Sequence, residues 1–335
     1  MKISFLADID YANVLTEYAH LLNESKEFIE CKSICLKKHI FNYDLQHDYD
    51  VLSSDSTQIN ELKSFIEDSD YIVFGEENSH LGSTYWMLDQ FLVLTGLDII
   101  NLDSKIIVWH AGSTYRNNAS YYNQHLQKHK LHKSLYGIDL FRLSNKESND
   151  APIHIYQNFN FDYDKFIADF ELKLNKRPWT ILHIPSNVNT KGTQQINESI
   201  EALDLDPNKF EYKVLQNLTH PQVIEEKKKS IFYIDQFNST VGGYGVSTLE
   251  SIINGNLTFS TVNNINDSIQ YLTGKPEIPL VSLGVTQQEL YHDLATYIKG
   301  LTPDLLLEYM MGIGQWMEEF YSPKAITSQF INTIC

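Results

Sequence analysis

The chain has 335 residues, 42% hydrophobic and 21% charged, which supports a sizeable core, excludes general disorder and suggests two domains. With 26 Lys and Arg against 43 Asp and Glu, the formal net charge is −17, which argues against broad electrostatic capture of nucleic acid or anionic membrane. The three cysteines, Cys31, Cys35 and Cys335, fit neither a disulfide framework nor the usual zinc knuckle, so reduced thiols in a cytoplasmic protein are expected.

Taken in chain order, Lys2–Ala7 reads as a strand. Residues 12–23 read as a helix, with Ala12, Leu15, Ala19 and Leu22 on one face. A helix over 59–67 precedes a strand over 71–74. A helix is expected over 83–94, and a buried strand over 105–109 that runs into His110. The apolar stretch 91–100 is too short and too interrupted to span a membrane. Residues 157–178, aromatic and charged without a sheet pattern, read as a connection. A second alternating series follows: strand 179–184, helix 194–203, strand 210–215, a helix from Thr219 with Pro221 in its first turn, strand 231–234, helix 247–253 and strand 257–262. From Gln287 onward the pattern is mostly helical. Strands alternating with helices imply parallel sheets covered on both faces. The expected fold class is therefore α/β, with two Rossmann-like domains facing each other across a cleft. Lys227–Lys229, closing a helix, reads as a solvated end that complements the helix dipole.

Ligands of such sheets bind beyond the carboxyl ends of the strands, and three loops there carry reactive groups. In 183–193, Lys191 stands before Gly192 at the mouth of a helix, offering a cation and free N–H groups to an anion, or forming an ordinary turn; it lacks the spacing of a Walker A loop. In 235–250, Gly242, Gly243 and Gly245 let backbone approach a ligand, and Ser247 or Thr248 is expected to cap the next helix. Glu250, expected in that helix's first turn, either complements the dipole or accepts hydrogen bonds from sugar hydroxyls. In 109–116, His110 is expected to point into the cleft or to be a satisfied structural residue. Arg116 either binds an anion or pairs with an acid, with Ser113 beside it.

Together these stretches resemble the retaining GT-B glycosyltransferases, the nucleotide-sugar-dependent group. The second half carries the likeness, through His183-Ile-Pro-Ser to Lys191-Gly-Thr, through 219–236, and through Gly242-Gly-Tyr-Gly-Val-Ser-Thr-Leu-Glu250 with the Asn254-Gly stop. The resemblance implies an acceptor-side domain over 1–165, a nucleotide-sugar domain over 176–315, and a terminal helix over 316–335 that crosses back to the first domain. It implies donor phosphate on Lys191, Gly243, Tyr244, Gly245, Ser247 and Thr248, and the nucleotide on Glu250 and Ser186. His110 and Glu250 are the implied catalytic residues, with Ser113 and Arg116 on the acceptor or an anion. A UDP-sugar is the implied donor substrate, without cofactor or metal, and the acceptor is a glycan or small molecule. The sequence departs from the pattern at Gly242, where the Glu-x7-Glu motif has its first acid, and in lacking an arginine shortly before Lys191.

A metal-dependent GT-A enzyme would use an Asp-x-Asp pair. Such pairs occur, among them 8–10, 48–50, 162–164 and 204–206, but 43 acids give roughly five acidic pairs at that spacing by chance, so they carry little weight. Other readings are a GT-B-fold epimerase, a degenerate sugar-nucleotide binder, and a phage-type DNA-base glycosyltransferase. The last is disfavoured by the charge of −17, with 127–133 as its one basic candidate patch.

Overall fold

The computed structural model describes residues 1–25, 28–36, 45–75, 96, 105–110, 112–126, 131–156, 161–238, 243–262 and 265–335. The expected helix over 83–94 lies outside them. The chain divides into two units, one comprising Met1–Asn158 with Pro323–Cys335 and the other Phe159–Ser322. Among the described residues, no helix is long and apolar enough to cross a membrane.

In the first unit the described strands form one parallel sheet of seven, in the order β3-β2-β1-β4-β5-β6-β7. These are β1 (Lys2–Ala7), β2 (Glu30–Cys35), β3 (Tyr49–Asp50), β4 (Tyr71–Gly75), β5 (Ile106–His110), β6 (Lys133–Gly137) and β7 (Asp150–Ile153). β1 sits inside, with Ile3 level with Cys31 on one side and Tyr71 on the other. One face packs Leu6, Ile34, Ile72 and Val108 against Leu62 and Ile66 of α2 (Ser56–Asp68). Asp55 opens α2 by accepting from the N–H groups of Thr57 and Gln58, and Gln58 reciprocates on the Asp55 N–H.

The first helix starts later than its apolar pattern suggests. Ala12 and Asn13 have φ of 53° and 59°, and α1 runs Val14–Glu24. Asp10 explains the offset. Its carboxylate folds under the helix start and accepts from Leu15 N at 3.0 Å and Thr16 N at 2.7 Å, while burial pushes its pKa up to about 6. β2, β6 and β7 have no counterpart in the sequence pattern. Polar residues interrupt the first two, and Pro152 stands in β7, where an edge strand tolerates it.

The second unit opens with α4 (Tyr163–Leu174), following α3 (Ser113–Leu126) of the first. A helix here corrects the reading of 157–178 as irregular connection. Asp162 caps it through Lys165 N at 2.7 Å, and Phe166, Phe170 and Lys173 bury one face at helical spacing. The parallel sheet has the order β12-β11-β10-β8-β9, from β8 (Trp179–His183), β9 (Phe210–Val214), β10 (Phe232–Gln236), β11 (Leu257–Ser260) and β12 (Val281–Ser282). Its helices are α5 (Thr193–Ala202), α6 (His220–Lys229), α7 (Val246–Ile253), α8 (Asn266–Thr273), α9 (Gln287–Leu294) and α10 (Pro303–Tyr321).

A helix was expected to leave for the first domain at 316. Instead α10 continues to Tyr321, and the break falls at Ser322-Pro323, where proline disfavours helix in the residue before it. The final helix, α11 (Pro323–Ile334), belongs to the first unit. There Phe330 lies 5.8 Å from the Phe5 ring and 5.2 Å from that of Tyr18. Phe330→Ala should destabilise the first unit by about 3–5 kcal/mol, read as an earlier urea transition, while the second unit's transition stays in place.

Candidate functional site

The second sheet's chain path determines where a ligand site can form. From β8 it steps outward to β9, then crosses to the other side of β8 to form β10. The loops leaving β8 and β10 therefore diverge, and the crevice at that switch point is where open α/β sheets hold ligands.

At this point β10 ends in a bulge. The register to β11 shifts between Ile234 and Gln236, so Asp235 falls out of the ladder. Its buried carboxylate accepts from Lys191 Nζ at 2.9 Å through Oδ1 and from Thr248 Oγ1 at 2.8 Å through Oδ2. Burial alone would raise the pKa of Asp235, but the Lys191 ammonium and the Thr248 hydroxyl overcome it and hold the acid below the usual range. Gln236 takes a further Lys191 proton at 3.2 Å and donates to the Gly243 carbonyl at 3.1 Å.

The Lys191 carbonyl accepts from Phe237 N at 3.0 Å, which zips the two loops together. That approach requires Gly192. Its φ is +67°, and a Cβ there would stand 2.1 Å from the Phe237 carbonyl oxygen. Beneath them, His183 is a buried spacer. Its Nδ1 lies 2.7 Å from the Ile234 carbonyl, which can only accept, so Nε2 receives the Thr193 hydroxyl at 2.9 Å.

Ser247 and Thr248 do not cap α7, as the sequence suggested. The cap position is Gly245, in extended backbone with no side-chain bond to the helix, and Ser247 and Thr248 lie inside the first turn. The cap residue thus offers no side chain to the first-turn N–H groups, and a Cβ on Gly245 would meet no atom of the described residues within 4 Å. The neighbouring Tyr244 hydroxyl is buried and has no hydrogen-bond partner among the described residues.

Glu250 lies one turn further in than expected and is buried. His220 Nε2 lies 2.8 Å from its Oε1, and Lys227 Nζ lies 2.8 Å from its Oε2. Burial pushes the Glu250 pKa up, but the His220 hydrogen bond and the Lys227 charge push it further down, leaving a carboxylate. The sequence reading missed Lys227. Lys228 and Lys229 are solvated, paired with Glu225 and Glu226, yet Lys227 is 0% exposed. Helical rotation turns one residue of the run inward, a direction that a charge run does not reveal.

In the first unit His110 ends β5 and is 0% exposed. The rings of Tyr115 and Tyr136 stand 4.3 and 4.9 Å from it, and burial pushes its pKa down to about 3, so the ring is neutral. Arg116 is paired with Asp139, donating from Nε at 3.1 Å and Nη2 at 2.6 Å. Ser113 opens α3, and its side chain falls outside the described part of the structure. Ser186 is exposed in the loop after β8. Gly242, where the resemblance calls for an acid, and residues 127–130 of the basic patch lie outside the described residues. Among the described residues, no group of three or more His, Cys, Asp or Glu side chains is placed to hold a metal ion.

The architecture recurs in solved structures. The N-terminal domain of trehalose-6-phosphate phosphatase from Candida albicans superimposes with a TM-score of 0.57 at 12% identity, over 99% of this chain and 98% of that one. WaaG, a glycosyltransferase involved in lipopolysaccharide biosynthesis, gives 0.52 at 10% identity over the same shares. The fold is GT-B. A Listeria monocytogenes protein assigned as a UDP-N-acetylglucosamine 2-epimerase shares this GT-B likeness, with a TM-score of 0.52 at 11% identity over 99% and 98%. No protein-family model matches the sequence, and comparison with curated proteins gives no match.

Gly192→Ala should strain the left-handed turn by about 1–3 kcal/mol before its clash with Phe237 is counted, lowering the second unit's melting temperature. Asp235 and Glu250 have folded pKa values below their ordinary 3.8 and 4.5, so their stabilisation is complete above those values. It is lost as pH falls through the lowered values. Urea titrations from pH 7 down to pH 2.5 should show this loss, diminished in Glu250→Gln.

Proposed function

We propose that the chain is a nucleotide-sugar-dependent glycosyltransferase whose donor binds at the carboxyl edge of the second unit's sheet. One observation carries the reading: α7, whose cap residue Gly245 brings no side chain, opens at the switch point between β8 and β10, with the Lys191 ammonium tied to its first turn through Asp235 and Thr248. Helix N–H groups and a cation are what a diphosphate requires. Gly243, Tyr244, Gly245, Ser247 and Thr248 would surround the phosphates, and Glu250 and Ser186 would take the nucleoside end.

As the sugar's anomeric bond breaks, negative charge builds on the leaving diphosphate. Fixed N–H groups and Lys191 stabilise it without reorganising. The side chain of Lys191 is 18% exposed and has three protons; among the described residues Asp235 and Gln236 engage two of them, which leaves one for phosphate. This arrangement requires no metal, and UDP is the first nucleotide to test. His110 enters as a neutral stacked ring of the acceptor side rather than as a proton carrier, with Arg116 held by Asp139. Retention at the anomeric carbon, and a glycan or small-molecule acceptor, follow from the family resemblance. The Listeria monocytogenes neighbour favours a second reading, sugar-nucleotide epimerisation on the same donor site.

A thermal-shift panel of UDP, GDP, ADP, CMP and their sugar conjugates tests the donor site. At a hundredfold excess over its dissociation constant, the true ligand should add about 2.7 kcal/mol. The shift should persist with chelator. Lys191→Ala should retain the fold and cut donor turnover about a hundredfold or more, and near-normal turnover would overturn the assignment. Transfer to an acceptor with release of the free nucleotide supports the transferase. Conversion of the bound sugar to its epimer, with the nucleotide still attached, supports the second reading.

A further inference from the structure

Lys227 is a lysine with no exposed surface, in a protein with a large excess of acid and ample surface on which to display it. Its ammonium donates to Glu250 Oε2 at 2.8 Å, to the Ser247 carbonyl at 2.8 Å and to Ser247 Oγ at 3.1 Å. Three acceptors need three N–H groups, so the side chain is a fully engaged ammonium. The Tyr233 ring lies 4.9 Å from it.

Its main chain is pinned as well. Asn256 Nδ2 donates to the Lys227 carbonyl at 2.9 Å, and the buried Lys173 ammonium does so at 3.4 Å. Lys173 in turn donates to the carbonyls of Asn254 and Gly255, just past α7. The ends of α6 and α7 are thereby fixed relative to each other, and Lys227 reaches from one to the other with little freedom to lose.

Stability alone does not account for such a pair. A buried ion pair is often no better for a fold than apolar residues of the same volume. What the pair does achieve is orientation. Lys227 holds Oε2 of Glu250 from the interior, which turns Oε1 toward the side where His220 is 39% exposed. His220 uses one lone pair of Oε1, and a carboxylate oxygen has a second. We propose that Lys227 is a positioning residue of the donor site, fixing the Glu250 carboxylate as the hydrogen-bond acceptor for the ribose hydroxyls of a nucleoside diphosphate. The role rests on the donor-site reading above and adds to it a group that never touches the ligand.

The experiment compares UDP, GDP and ADP with inorganic pyrophosphate by calorimetry, on wild type, Lys227→Met, Glu250→Gln and the double variant. Pyrophosphate can use Lys191 and the α7 N-terminus but has no ribose. In Lys227→Met, Ser247 keeps its bond to the Tyr233 hydroxyl at 2.8 Å, so the phosphate end stays built. Lys227→Met should weaken the preferred nucleoside diphosphate about tenfold or more, the worth of one hydrogen bond to a charged group. Pyrophosphate should change less than about twofold, and in the Glu250→Gln background Lys227→Met should add less than about twofold.

If Lys227→Met does not fold because it strands a buried carboxylate, the double variant against Glu250→Gln decides, since the double variant carries neither charge and in Glu250→Gln the amide oxygen still accepts from Lys227. Equal weakening of pyrophosphate and nucleotide, or full additivity with Glu250→Gln, would overturn the role and leave the donor site standing. A wild-type protein that binds pyrophosphate but none of the three nucleotides would overturn both the role and the nucleotide reading.

Discussion

A carboxylate that cannot reach water must find its protons inside the protein, and the upper edge of the second unit is arranged around one. Asp235 is buried at the end of an interior strand, displaced from the ladder by a bulge. Its two oxygens draw in Lys191 from the loop before α5 and Thr248 from the first turn of α7. Both loops are held by that demand, and Gly192 lets them close to backbone contact. The same demand positions the partly exposed Lys191 ammonium beside the first turn of α7. Neutralising Asp235 and setting Lys191 beside the start of α7 are thus one piece of chemistry.

Glu250 repeats the arrangement one turn deeper, with Lys227 on the inside and His220 on the outside. The two acid–lysine pairs face α7 from opposite sides of its first two turns. Each leaves one component near solvent, Lys191 in the first and His220 in the second, while the other cation or acid is enclosed. The donor proposed above would set its phosphates by the first pair and its ribose by the second. In the first unit, by contrast, His110 is buried and Arg116 is already paired with Asp139.

Much of this was legible in the sequence. Apolar runs marked β1, β4, β8, β10 and β11 because parallel strands covered on both faces are nearly uninterrupted in hydrophobicity. The reading failed where packing overrides local pattern. β7 contains a proline that only an edge position permits, and sequence does not reveal which strand is at the edge. α4 appeared irregular because its exposed face is crowded with charge, although Phe166 and Phe170 stand at helical spacing. In the candidate site, Lys191, Thr248 and Glu250 were recognisable by their position before or within a helix after a strand. Lys227 and Asp235 were not, since whether a charged residue turns inward depends on partners far away in the chain.

The first unit is discontinuous, and this has a consequence for how the protein is made. Its seven described strands leave the ribosome early, while α11, which carries Phe330, is synthesised only after the whole second unit. Translation therefore produces a nearly finished sheet whose Phe5 and Tyr18 rings have no Phe330 to pack against. Through that interval the nascent chain carries a wet apolar notch, a handhold for chaperones and a seed for misassembly. The first unit therefore reaches its native packing only after the second unit and α11 have been made.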